Sequence, residues 1–369
     1  MKSVEEKLSL ITRNTAEVVT LEELRGKLER GDRLKGYIGY EPSGIVHIGW
    51  LIWIMKVKDL VEAGVDFTVL EATWHAMVND KLGGDLSLIR EATKIVKAVF
   101  EAMGVPLDKV RFVDAEELVS DKEYWSILLR VAKKNTLQRV KRALTIMGRR
   151  AEEAELDSSK IIYPLMQVSD IFYLDLDIAL GGMDQRKAHM LARDTAEKLG
   201  FKKPIAIHTP ILTGLSGAGR MDVSKADRDE ILAIAKMSKS KPQQTIYIHY
   251  KPETIRALIR KAYCPKGIIE FNPIIEINKY ILFAREGFRL IVKRPEKYGG
   301  TVVYERYEDL ERDFIEGRLH PADLKNATAE ALIEFLEPIR ERLLRDPHLV
   351  QVLRKLEPYH NIPPSYAWD

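Results

Sequence analysis

Short apolar runs of strand-forming residues alternate with stretches of helical periodicity along the first 212 residues of this chain. The runs fall at residues 35–40, 65–72, 109–113, 176–182 and 204–212. Parallel strands need a long crossover between them, usually a helix, whereas antiparallel strands are joined by short turns. The alternation therefore predicts an α/β fold with a doubly wound, Rossmann-like parallel sheet.

Two other segments define the organisation of the chain. A strongly basic helical stretch at about residues 121–155 predicts a helical insertion between two halves of the sheet. A glycine- and charge-rich stretch at about residues 213–245 predicts a long mobile loop. Beyond this loop the pattern is mainly helical, so we predict two domains, residues 1–245 and residues 246–369.

Charge balance and cysteine content narrow the class of protein. With 58 Lys and Arg against 55 Asp and Glu, the chain has a net charge of +3, which excludes a histone-like coat for nucleic acid but permits a local basic face. Cys264 is the single cysteine, and no Cys/His cluster with zinc-binding spacing surrounds it. We expect a reducing cytoplasm, because the first residues do not resemble a signal peptide and no apolar run is long enough to span a bilayer.

The segment EPSGIVHIGW, residues 41–50, follows the first predicted strand. A glycine after a strand lets backbone N–H groups approach a phosphate, and the N-terminus of the next helix adds partial positive charge. His47 at that terminus is a candidate partner for a phosphate oxygen. A simpler explanation stays open, in which His47 is a hydrogen-bonded core residue and Gly44 and Gly49 serve packing.

The segment KMSKS, residues 236–240, lies in the predicted loop. Lys236 and Lys239 are separated by Met237 and Ser238 and can neutralise charge that develops on a polyphosphate. A solvated basic loop would have the same composition. The KMSKS and HIGW segments together indicate a nucleotide site more strongly than either does alone, because they occur in the order that a split nucleotide-binding fold requires.

The segment IIYPLMQVSDIFYL contains a polar stripe. Tyr163, Gln167 and Asp170 are spaced i, i+4 and i+7, so a helix beginning near Pro164 places them on one side. The surrounding residues are mostly apolar, and a buried polar group without a partner costs roughly 1–3 kcal/mol. We therefore favour a pocket for a polar ligand over the alternative, a solvated face of an amphipathic helix.

The segment GGMDQRK ends the predicted strand 176–182 with Gly181 and Gly182. A carboxylate at the carboxyl end of such a strand is well placed to bind ribose hydroxyls, and glycines let a nucleotide approach the backbone. Asp184 is the candidate carboxylate, and Gln185 enters the next helix. An ordinary turn, with Asp184 as a helix cap, is the alternative.

These segments together resemble a known family. HIGW and KMSKS are similar to the HIGH and KMSKS pair of class I aminoacyl-tRNA synthetases, and YIGYEPSG, YPLMQVSD and GGMDQRK resemble tyrosyl-tRNA synthetases of the archaeal and eukaryotic type. The likeness extends from NTAEVVTLEEL to FLEPIRERL, over most of the chain. It implies a tyrosine–tRNA ligase with a class I catalytic domain at 1–245 and a helical anticodon-recognition domain at 246–369.

The resemblance implies roles for individual residues in binding small substrates. Tyr37 and Asp170 would hold the phenol of tyrosine, and Tyr163, Gln167 and Gln185 would hold its ammonium group. His47, Lys236 and Lys239 would stabilise charge on the phosphates of ATP and are the implied catalytic residues. The residues implied to bind ATP are Glu41, Ser43, Gly44, His47, Gly49, Gly182, Asp184, Lys236, Met237, Ser238 and Lys239.

The resemblance also implies the other partners. ATP is a substrate, Mg²⁺ accompanies the pyrophosphate, and no permanently bound metal is expected. The tRNA for tyrosine would meet the basic insertion and the C-terminal domain, and the insertion would also form the interface of a homodimer. The residues implied to bind tRNA are Arg139, Lys141 and Arg142 at the acceptor stem, with Tyr298, His320 and Asp323 at the anticodon. Tyr298 would stack on a base, since single-stranded bases are commonly bound in this way. The ordinary alternatives are a solvated helix face for the three basic residues and local packing for Tyr298.

The chain departs from the family pattern in three ways, and three other functions compete. The run between Thr213 and Lys236 is longer than the family pattern leads us to expect. Trp50 replaces the last histidine of the HIGH motif, and Thr73 stands where the family often has aspartate. A tryptophanyl-tRNA synthetase shares the fold and chemistry, although the polar pair Tyr37 and Asp170 argues against an indole pocket. The other two are a catalytically silent tRNA-binding relative and a generic nucleotidyltransferase.

Overall fold

The computed structural model of this protein describes residues 2–147, 157–217, 236–237 and 242–368. Its larger sheet has six strands in the order β1-β6-β5-β2-β3-β4. The strands are β1 Glu17–Val19, β2 Lys35–Tyr40, β3 Asp66–Glu71, β4 Val110–Asp114, β5 Ile178–Gly182 and β6 Ile205–Thr209. Strands β2 to β6 pair in parallel, which confirms the predicted fold class and all five predicted strands. Strand β1 was not predicted, and it pairs antiparallel with β6 at the edge of the sheet.

Helices connect these strands and form most of the C-terminal part. Before and between the strands the helices are Val4–Thr12, Leu21–Glu29, Ile48–Glu62, Thr73–Val78, Leu86–Ala102, Ala115–Val119, Lys122–Lys134, Leu137–Ala143, Ser158–Tyr173 and Arg186–Leu199. After β6 the helices are Pro252–Lys261, Pro273–Ile277, Tyr307–Ile315, Pro321–Leu344 and Pro347–Leu356, and the π-helical turn Asn278–Leu282 follows the second of them. A two-stranded antiparallel hairpin, β7 Leu290–Val292 and β8 Val302–Tyr304, stands among them.

The helix with the polar stripe begins earlier than predicted. It starts at Ser158 rather than near Pro164, because Asp157 caps it by accepting a hydrogen bond from the backbone N–H of Ser159. Pro164 therefore lies inside the helix, where it removes one backbone donor without ending the helix. The predicted loop at 213–245 lies partly outside the described residues. Within the described part, residues 242–244 form a 3₁₀ turn.

The chain divides into two compact units. The first contains Met1–Gly44 and Trp53–Pro210, and the second contains Ile45–Ile52 and Ile211–Asp369. The HIGW segment thus belongs to the same unit as the C-terminal helices. The functional division at residue 245 stays a prediction, as does the cytoplasmic location. Within the described part of the chain, no helix is long and apolar enough to cross a membrane.

The core of the first unit surrounds the central strand β2. Tyr37 of β2 packs in a cluster with residues of the helices Lys122–Lys134 and Ser158–Tyr173. On the other face of β2, Gly36 leaves room for Val65 and Phe67, because a Cβ atom there would lie 2.9 Å from their side-chain atoms. The polar stripe is therefore directed into the protein, beside the middle of the sheet.

Candidate active site

Strand β2 and the helix Ser158–Tyr173 bring a tyrosine and an aspartate together in the first unit. Tyr37 and Asp170 are both buried, at 0% and 1% exposure. The Tyr37 hydroxyl has no hydrogen-bond partner among the described residues. Burial, and then the charge of Asp170, raise the pKa of the Tyr37 phenol well above its ordinary value, so this hydroxyl keeps its proton.

Asp170 is held from two sides. The Tyr124 hydroxyl donates to Asp170 Oδ1 at 2.9 Å, and His75 Nε2 lies 3.0 Å from Asp170 Oδ2. The approach of His75 falls outside hydrogen-bond geometry, so it acts on Asp170 mainly through charge. Burial is the largest single influence and opposes the imidazolium form, but the charge and contact of Asp170, together with the charge of Glu41, outweigh burial and raise the pKa of His75. Each carboxylate oxygen thus has its own neighbour, which fixes the orientation of Asp170.

Sequence prediction missed both of these neighbours. His75 follows β3 in the segment LEATWHAMVND, and the carboxyl ends of strands are where ligand sites of such sheets lie, so its position was an available signal. Tyr124 gave no comparable signal, because it is 46 residues from Asp170 in sequence. The contact between them depends on how the helices Lys122–Lys134 and Ser158–Tyr173 pack.

The remaining stripe residue Tyr163 faces a carboxylate from the segment after β2. Tyr163 is buried, and its hydroxyl hydrogen-bonds to Glu41; burial, and then the charge of Glu41, raise the pKa of Tyr163 well above its ordinary value. Glu41 also accepts a hydrogen bond from Asn79 Nδ2 at 2.8 Å, and its other oxygen lies 3.6 Å from Lys81 Nζ. Negative charge is therefore concentrated beside Tyr163.

Gln167 and Gln185 form a chain of amides. Gln167 Nε2 donates to Gln185 Oε1 at 3.2 Å, and Gln185 Nε2 donates to the carbonyl of Ile146 at 3.2 Å. These assignments follow from the network of donors and acceptors. Gln167 Oε1 is buried and has no donor within the described ranges. The Gln167 carbonyl is therefore a ready acceptor for an incoming N–H group.

The carboxyl end of β5 supports this chain. A Cβ atom on Gly181 would lie 2.9 Å from Gln185 Cβ and from His189 Cε1, so only glycine lets the following helix pack so closely. Gly182 and Asp184 come next and are partly exposed, as the prediction of a ribose contact requires. Asp184 lies in the 3₁₀ turn Met183–Gln185 rather than at a helix cap.

The segment after β2 holds the other predicted ATP residues of the first unit. Glu41 and Ser43 are partly exposed, and the Ser43 backbone N–H donates to the carbonyl of Glu41 at 2.7 Å. Gly44 has φ +114°, a conformation that favours glycine. This turn brings the backbone of residues 41–44 to the carboxyl edge of the sheet.

In the second unit, His47 lies over a glycine. His47 is 7% exposed, and its Nδ1 accepts the backbone N–H of Gly49 at 3.2 Å. A Cβ atom on Gly49 would lie 2.9 Å from His47 Cε1, so the ring position requires glycine there. Trp50, the departure from the HIGH motif, contacts the His47 ring edge-on at 6.3 Å between ring centroids. Gly49 therefore positions the His47 ring, and this role does not depend on a contact between Gly49 and ATP.

Backbone hydrogen bonds anchor the His47 segment. The N–H of Ile48 donates to the carbonyl of Ile246, and the N–H of Ile248 donates to the carbonyl of Val46. From the far end of the chain, His360 Nε2 accepts the N–H of Ile45 at 3.2 Å. The C-terminal tail thus contributes directly to the position of the HIGW segment.

Lys236 and Met237 lie in a short antiparallel contact of the second unit. Lys236 bridges Thr213, and the N–H of Met237 donates to the carbonyl of Leu212 at 2.7 Å. Met237 is buried and Lys236 is partly exposed. Ser238 and Lys239 lie outside the described residues.

The predicted anticodon residues also lie in the second unit. Tyr298 is 62% exposed, and Lys297 Nζ stands 4.9 Å from the centroid of its ring. Arg294, which sequence prediction missed, donates to the carbonyls of Gly300 and Arg318. It thereby joins the Tyr298 loop to the chain just before His320.

His320 and Asp323 begin the next helix. His320 Nδ1 accepts the backbone N–H of Ala322 at 3.1 Å and so caps the helix Pro321–Leu344. Asp323 lies in the first turn and is partly exposed. Arg294 therefore links the loop that carries the exposed tyrosine to the segment that leads into this helix.

The predicted acceptor-stem residues form one turn of basic helix in the first unit. Arg139, Lys141 and Arg142 lie on the helix Leu137–Ala143, with Lys141 and Arg142 exposed. Arg139 forms an ion pair with Asp194. The ion pair leaves two of the three side chains directed to solvent.

A concave surface at the other edge of the sheet is a poor candidate for a ligand site. A groove lies at the amino ends of β2, β3 and β4 and is lined by residues such as Lys35, Asp66 and Arg111. It contains none of the predicted site residues, and ligands of doubly wound sheets bind at the carboxyl ends. Among the described residues, no group of three His, Cys, Asp or Glu side chains is placed to hold a metal ion.

Comparisons with known proteins agree on one family. The profile of the family described as tRNA synthetases class I (W and Y) matches residues 29–234 and 232–337. A tyrosine–tRNA ligase of Aeropyrum pernix is 66% identical over 354 residues, which are 96% of this chain and 97% of that protein. A tyrosine–tRNA ligase of Sulfolobus acidocaldarius is 57% identical and aligns over 96% of this chain and 98% of its own length.

Solved structures give the same result. The crystal structure of a tyrosyl-tRNA synthetase from Aeropyrum pernix matches with a TM-score of 0.86 and 60% identity over 96% of this chain and 99% of that chain. A tyrosyl-tRNA synthetase from Pyrococcus horikoshii, complexed with L-tyrosine, matches with a TM-score of 0.90 and 42% identity. That alignment covers 96% of this chain and all of the other.

Proposed function

Because the chain belongs to the class I tRNA synthetases for tryptophan and tyrosine, we propose that it acts as a tyrosine–tRNA ligase through the residues described below. It activates tyrosine with ATP and transfers the tyrosyl group to the 3′ end of a tRNA. The observation that supports this assignment best is the buried hydroxyl of Tyr37, which lies near the charge of Asp170. This hydroxyl has no hydrogen-bond partner among the described residues. A substrate phenol supplies the missing partner.

A phenol fits this pair better than an indole does. A phenolic hydroxyl both donates and accepts, whereas an indole N–H only donates. The substrate hydroxyl donates to Asp170, whose oxygens are held by Tyr124 and His75, and accepts from Tyr37, which keeps its proton. Tryptophan would leave the Tyr37 hydroxyl unpaired, which costs roughly 1–3 kcal/mol in a buried site.

The ammonium group of tyrosine binds at the opposite end of the stripe. Gln167 Oε1 is the acceptor, and the Gln185 amide holds Gln167 in place. Tyr163 adds a hydroxyl, and Glu41 behind it adds negative charge that favours a cation. The three residues therefore bind the amine and leave the carboxylate of tyrosine directed outward to ATP.

The first step joins tyrosine to the nucleotide. A tyrosine carboxylate oxygen attacks the α-phosphorus of ATP in line, the bond from that phosphorus to the bridging oxygen breaks, and pyrophosphate leaves. His47, Lys236 and Lys239 stabilise the negative charge on the phosphates, and no side chain acts as a nucleophile.

The nucleotide itself is bound by backbone and by a few polar groups. Ser43, Gly44, Gly49 and Gly182 let the nucleotide approach the backbone, and Asp184 binds the ribose. Glu41, Met237 and Ser238 complete the set of residues proposed to bind ATP. Mg²⁺ would accompany the phosphates, whose oxygens are its usual ligands.

The second step charges the tRNA. A terminal ribose hydroxyl attacks the carbonyl carbon of tyrosyl-adenylate, and AMP leaves. Arg139, Lys141 and Arg142 bind the acceptor stem, since exposed basic side chains bind phosphates without regard to sequence. Tyr298 stacks on an anticodon base, and His320 and Asp323 bind its edge.

Pyrophosphate exchange tests the amino-acid assignment. The chain is expected to exchange labelled pyrophosphate into ATP when tyrosine is supplied, and to show only background exchange with tryptophan or phenylalanine. Exchange with tryptophan alone would overturn the assignment. Tyrosine-dependent exchange without any charging of tRNA would instead favour the silent relative.

Replacement of Asp323 tests the anticodon assignment. Asp323→Ala is expected to leave tyrosine-dependent exchange unchanged and to lower kcat/KM for charging by roughly 10- to 100-fold, the range expected for loss of one base-edge contact. Asp309→Ala is the matched control, because Asp309 is also a partly exposed carboxylate of this unit and pairs locally with Arg312. Loss of adenylate formation in Asp323→Ala would contradict the assignment.

A homodimer is part of the same proposal. The helix Lys122–Lys134 exposes Trp125 at 40% and Leu129 at 66%, four residues apart on one face. A second copy of the chain would cover this apolar face. Sedimentation of the wild type and of Leu129→Glu tests it, with a dimer expected only for the wild type.

A further inference from the structure

A buried carboxylate outside the predicted site stands beside the Lys236 contact. Glu276 belongs to the short helix Pro273–Ile277 of the second unit, which Asn272 caps. One Glu276 oxygen accepts the backbone N–H of Thr213 at 2.6 Å, and the other accepts the Thr213 hydroxyl at 2.9 Å. The two bonds fix both the position and the rotation of Thr213.

Thr213 is the residue that bridges Lys236. The two residues form an antiparallel bridge, and the neighbouring bond from Met237 N–H to the Leu212 carbonyl extends it. Thr213 and Met237 are buried. Displacement of Thr213 must therefore move the backbone from which the Lys236 side chain leaves.

Glu276 is a costly residue for a merely structural contact. Its burial raises the pKa of the carboxyl group to about 7, although Thr213 and Lys279 lower it in part. An amide or a hydroxyl could accept a single backbone N–H at a lower desolvation cost. A carboxylate instead offers two acceptor oxygens on one rigid group, and here they hold both donors of Thr213 together.

We propose that Glu276 is a positioning residue for Lys236: through Thr213 it sets the place of the lysine that meets the phosphates of ATP. This proposal rests on the proposed function of Lys236 and extends it to a residue that does not touch substrate. It assigns to the short helix Pro273–Ile277 a part in the activation step. It also requires that the effect of Glu276 pass through ATP and not through tyrosine.

Kinetics of adenylate formation test the proposal. Glu276→Ala is expected to lower kcat for tyrosine-dependent pyrophosphate exchange by roughly 10- to 100-fold, the range for loss of hydrogen bonds to a charged group. KM for tyrosine should change by less than about twofold, because the tyrosine pocket lies in the other unit. Glu276→Gln, which keeps one acceptor, should recover part of the loss.

Variants of Thr213 serve where Glu276→Ala does not fold. Thr213→Val removes the hydroxyl donor and is expected to lower kcat, while Thr213→Ser keeps both donors and should match the wild type. The double variant Glu276→Gln/Thr213→Val should be no worse than the more damaged single variant, since both changes break one arrangement. Glu330→Gln is the matched control, because Glu330 is an exposed carboxylate that pairs with Arg256 in the same unit.

The outcomes separate this proposal from the proposed function. A folded Glu276→Ala with the wild-type kcat, or equal losses in Thr213→Ser and Thr213→Val, would overturn the role of Glu276 alone. ATP affinity measured by calorimetry without tyrosine should fall in Glu276→Ala, and this readout stands even if the wild type exchanges with another amino acid. Unchanged ATP affinity together with a raised KM for tyrosine would also reject the proposal.

Discussion

The pocket proposed for tyrosine in the first unit and the HIGW and KMSKS segments of the second are built in different ways. The pocket consists of buried side chains that hold one another, and Tyr124, His75 and Asp170 are all inside the protein. The HIGW and KMSKS segments are held by backbone hydrogen bonds. The N–H of Ile48 donates to the carbonyl of Ile246, and the N–H of Met237 donates to the carbonyl of Leu212. The proposed recognition of tyrosine thus depends on side-chain chemistry, and the placement of the residues proposed to bind phosphate depends on main-chain geometry.

This difference separates two kinds of mutational effect. A change in the pocket leaves a buried polar atom without its partner, so it should act on amino-acid affinity and selectivity. A change behind the HIGW or the KMSKS segment moves a backbone by a small distance, so it should act on kcat. The three predictions that follow test this division, beginning with the largest expected effect.

Asp170→Ala is expected to cause the largest loss. It removes the acceptor of the substrate hydroxyl and leaves Tyr124 and His75 buried beside a cavity, so kcat/KM for tyrosine should fall by roughly 1,000-fold. KM for ATP should change by only a few-fold in pyrophosphate exchange. Asp177→Ala is the control, because Asp177 is another buried carboxylate of this unit, paired with Lys27. Equal losses for tyrosine and ATP in Asp170→Ala would erase the distinction between the two regions.

Glu276→Gln should change the pH dependence of stability. The pKa of Glu276 is about 7 in the folded chain, because burial raises it from 4.5 while Thr213 and Lys279 lower it in part. Tyr307 also interacts with Glu276, since the charge of Glu276 raises the pKa of Tyr307. The folded chain therefore binds this proton more tightly than the unfolded chain, and the wild type loses stability as the pH rises between these values. The loss is at most about 3 kcal/mol.

Urea unfolding of Glu276→Gln and the wild type measures this effect. Between about pH 5 and pH 8, the difference in unfolding free energy should move in favour of the variant by up to about 3 kcal/mol. Glu330→Gln should follow the wild type at every pH. A pH slope for Glu276→Gln equal to that of the wild type would mean that the buried carboxylate does not ionise in this range.

Tyr37→Phe should give the smallest effect and the most specific one. The Tyr37 hydroxyl has no partner in the described part of the chain, so its removal should leave the free energy of unfolding unchanged or slightly higher. Affinity for tyrosine should nevertheless fall by about tenfold, since one hydrogen bond to the substrate is lost. Tyr124→Phe is the contrasting control and should lose about 1 kcal/mol of stability, because its hydroxyl donates to Asp170. Marked destabilisation of Tyr37→Phe would contradict the idea of a prebuilt site.

The sequence predicted the parts of this molecule that repeat in local patterns. The five parallel strands followed from alternation of apolar runs and helices, and the stripe Tyr163, Gln167 and Asp170 followed from helical spacing. Strand β1 has only three residues, too few for any pattern. The early start of the helix at Ser158 was missed because Pro164 is more often a first-turn residue than an interior one.

The residues that support the site could not be predicted from local sequence patterns, for a different reason. Tyr124, His75 and Arg294 act through contacts with residues distant in sequence, and Glu276 lies 63 residues from Thr213. No local pattern marks such a contact, since it arises only when helices pack. The roles of individual residues in binding substrates came from the family resemblance and stay proposals for the experiments described.

The bond from Ile45 N–H to His360 has a consequence for how the protein is made. Residue 360 leaves the ribosome 315 residues after residue 45, so the HIGW segment lacks this acceptor until residue 360 has been made. The sheet can begin to fold while synthesis continues. The HIGW segment, however, cannot be completed before residue 360 is made, so a chain cut short of residue 360 would contain every strand of the sheet and lack this acceptor.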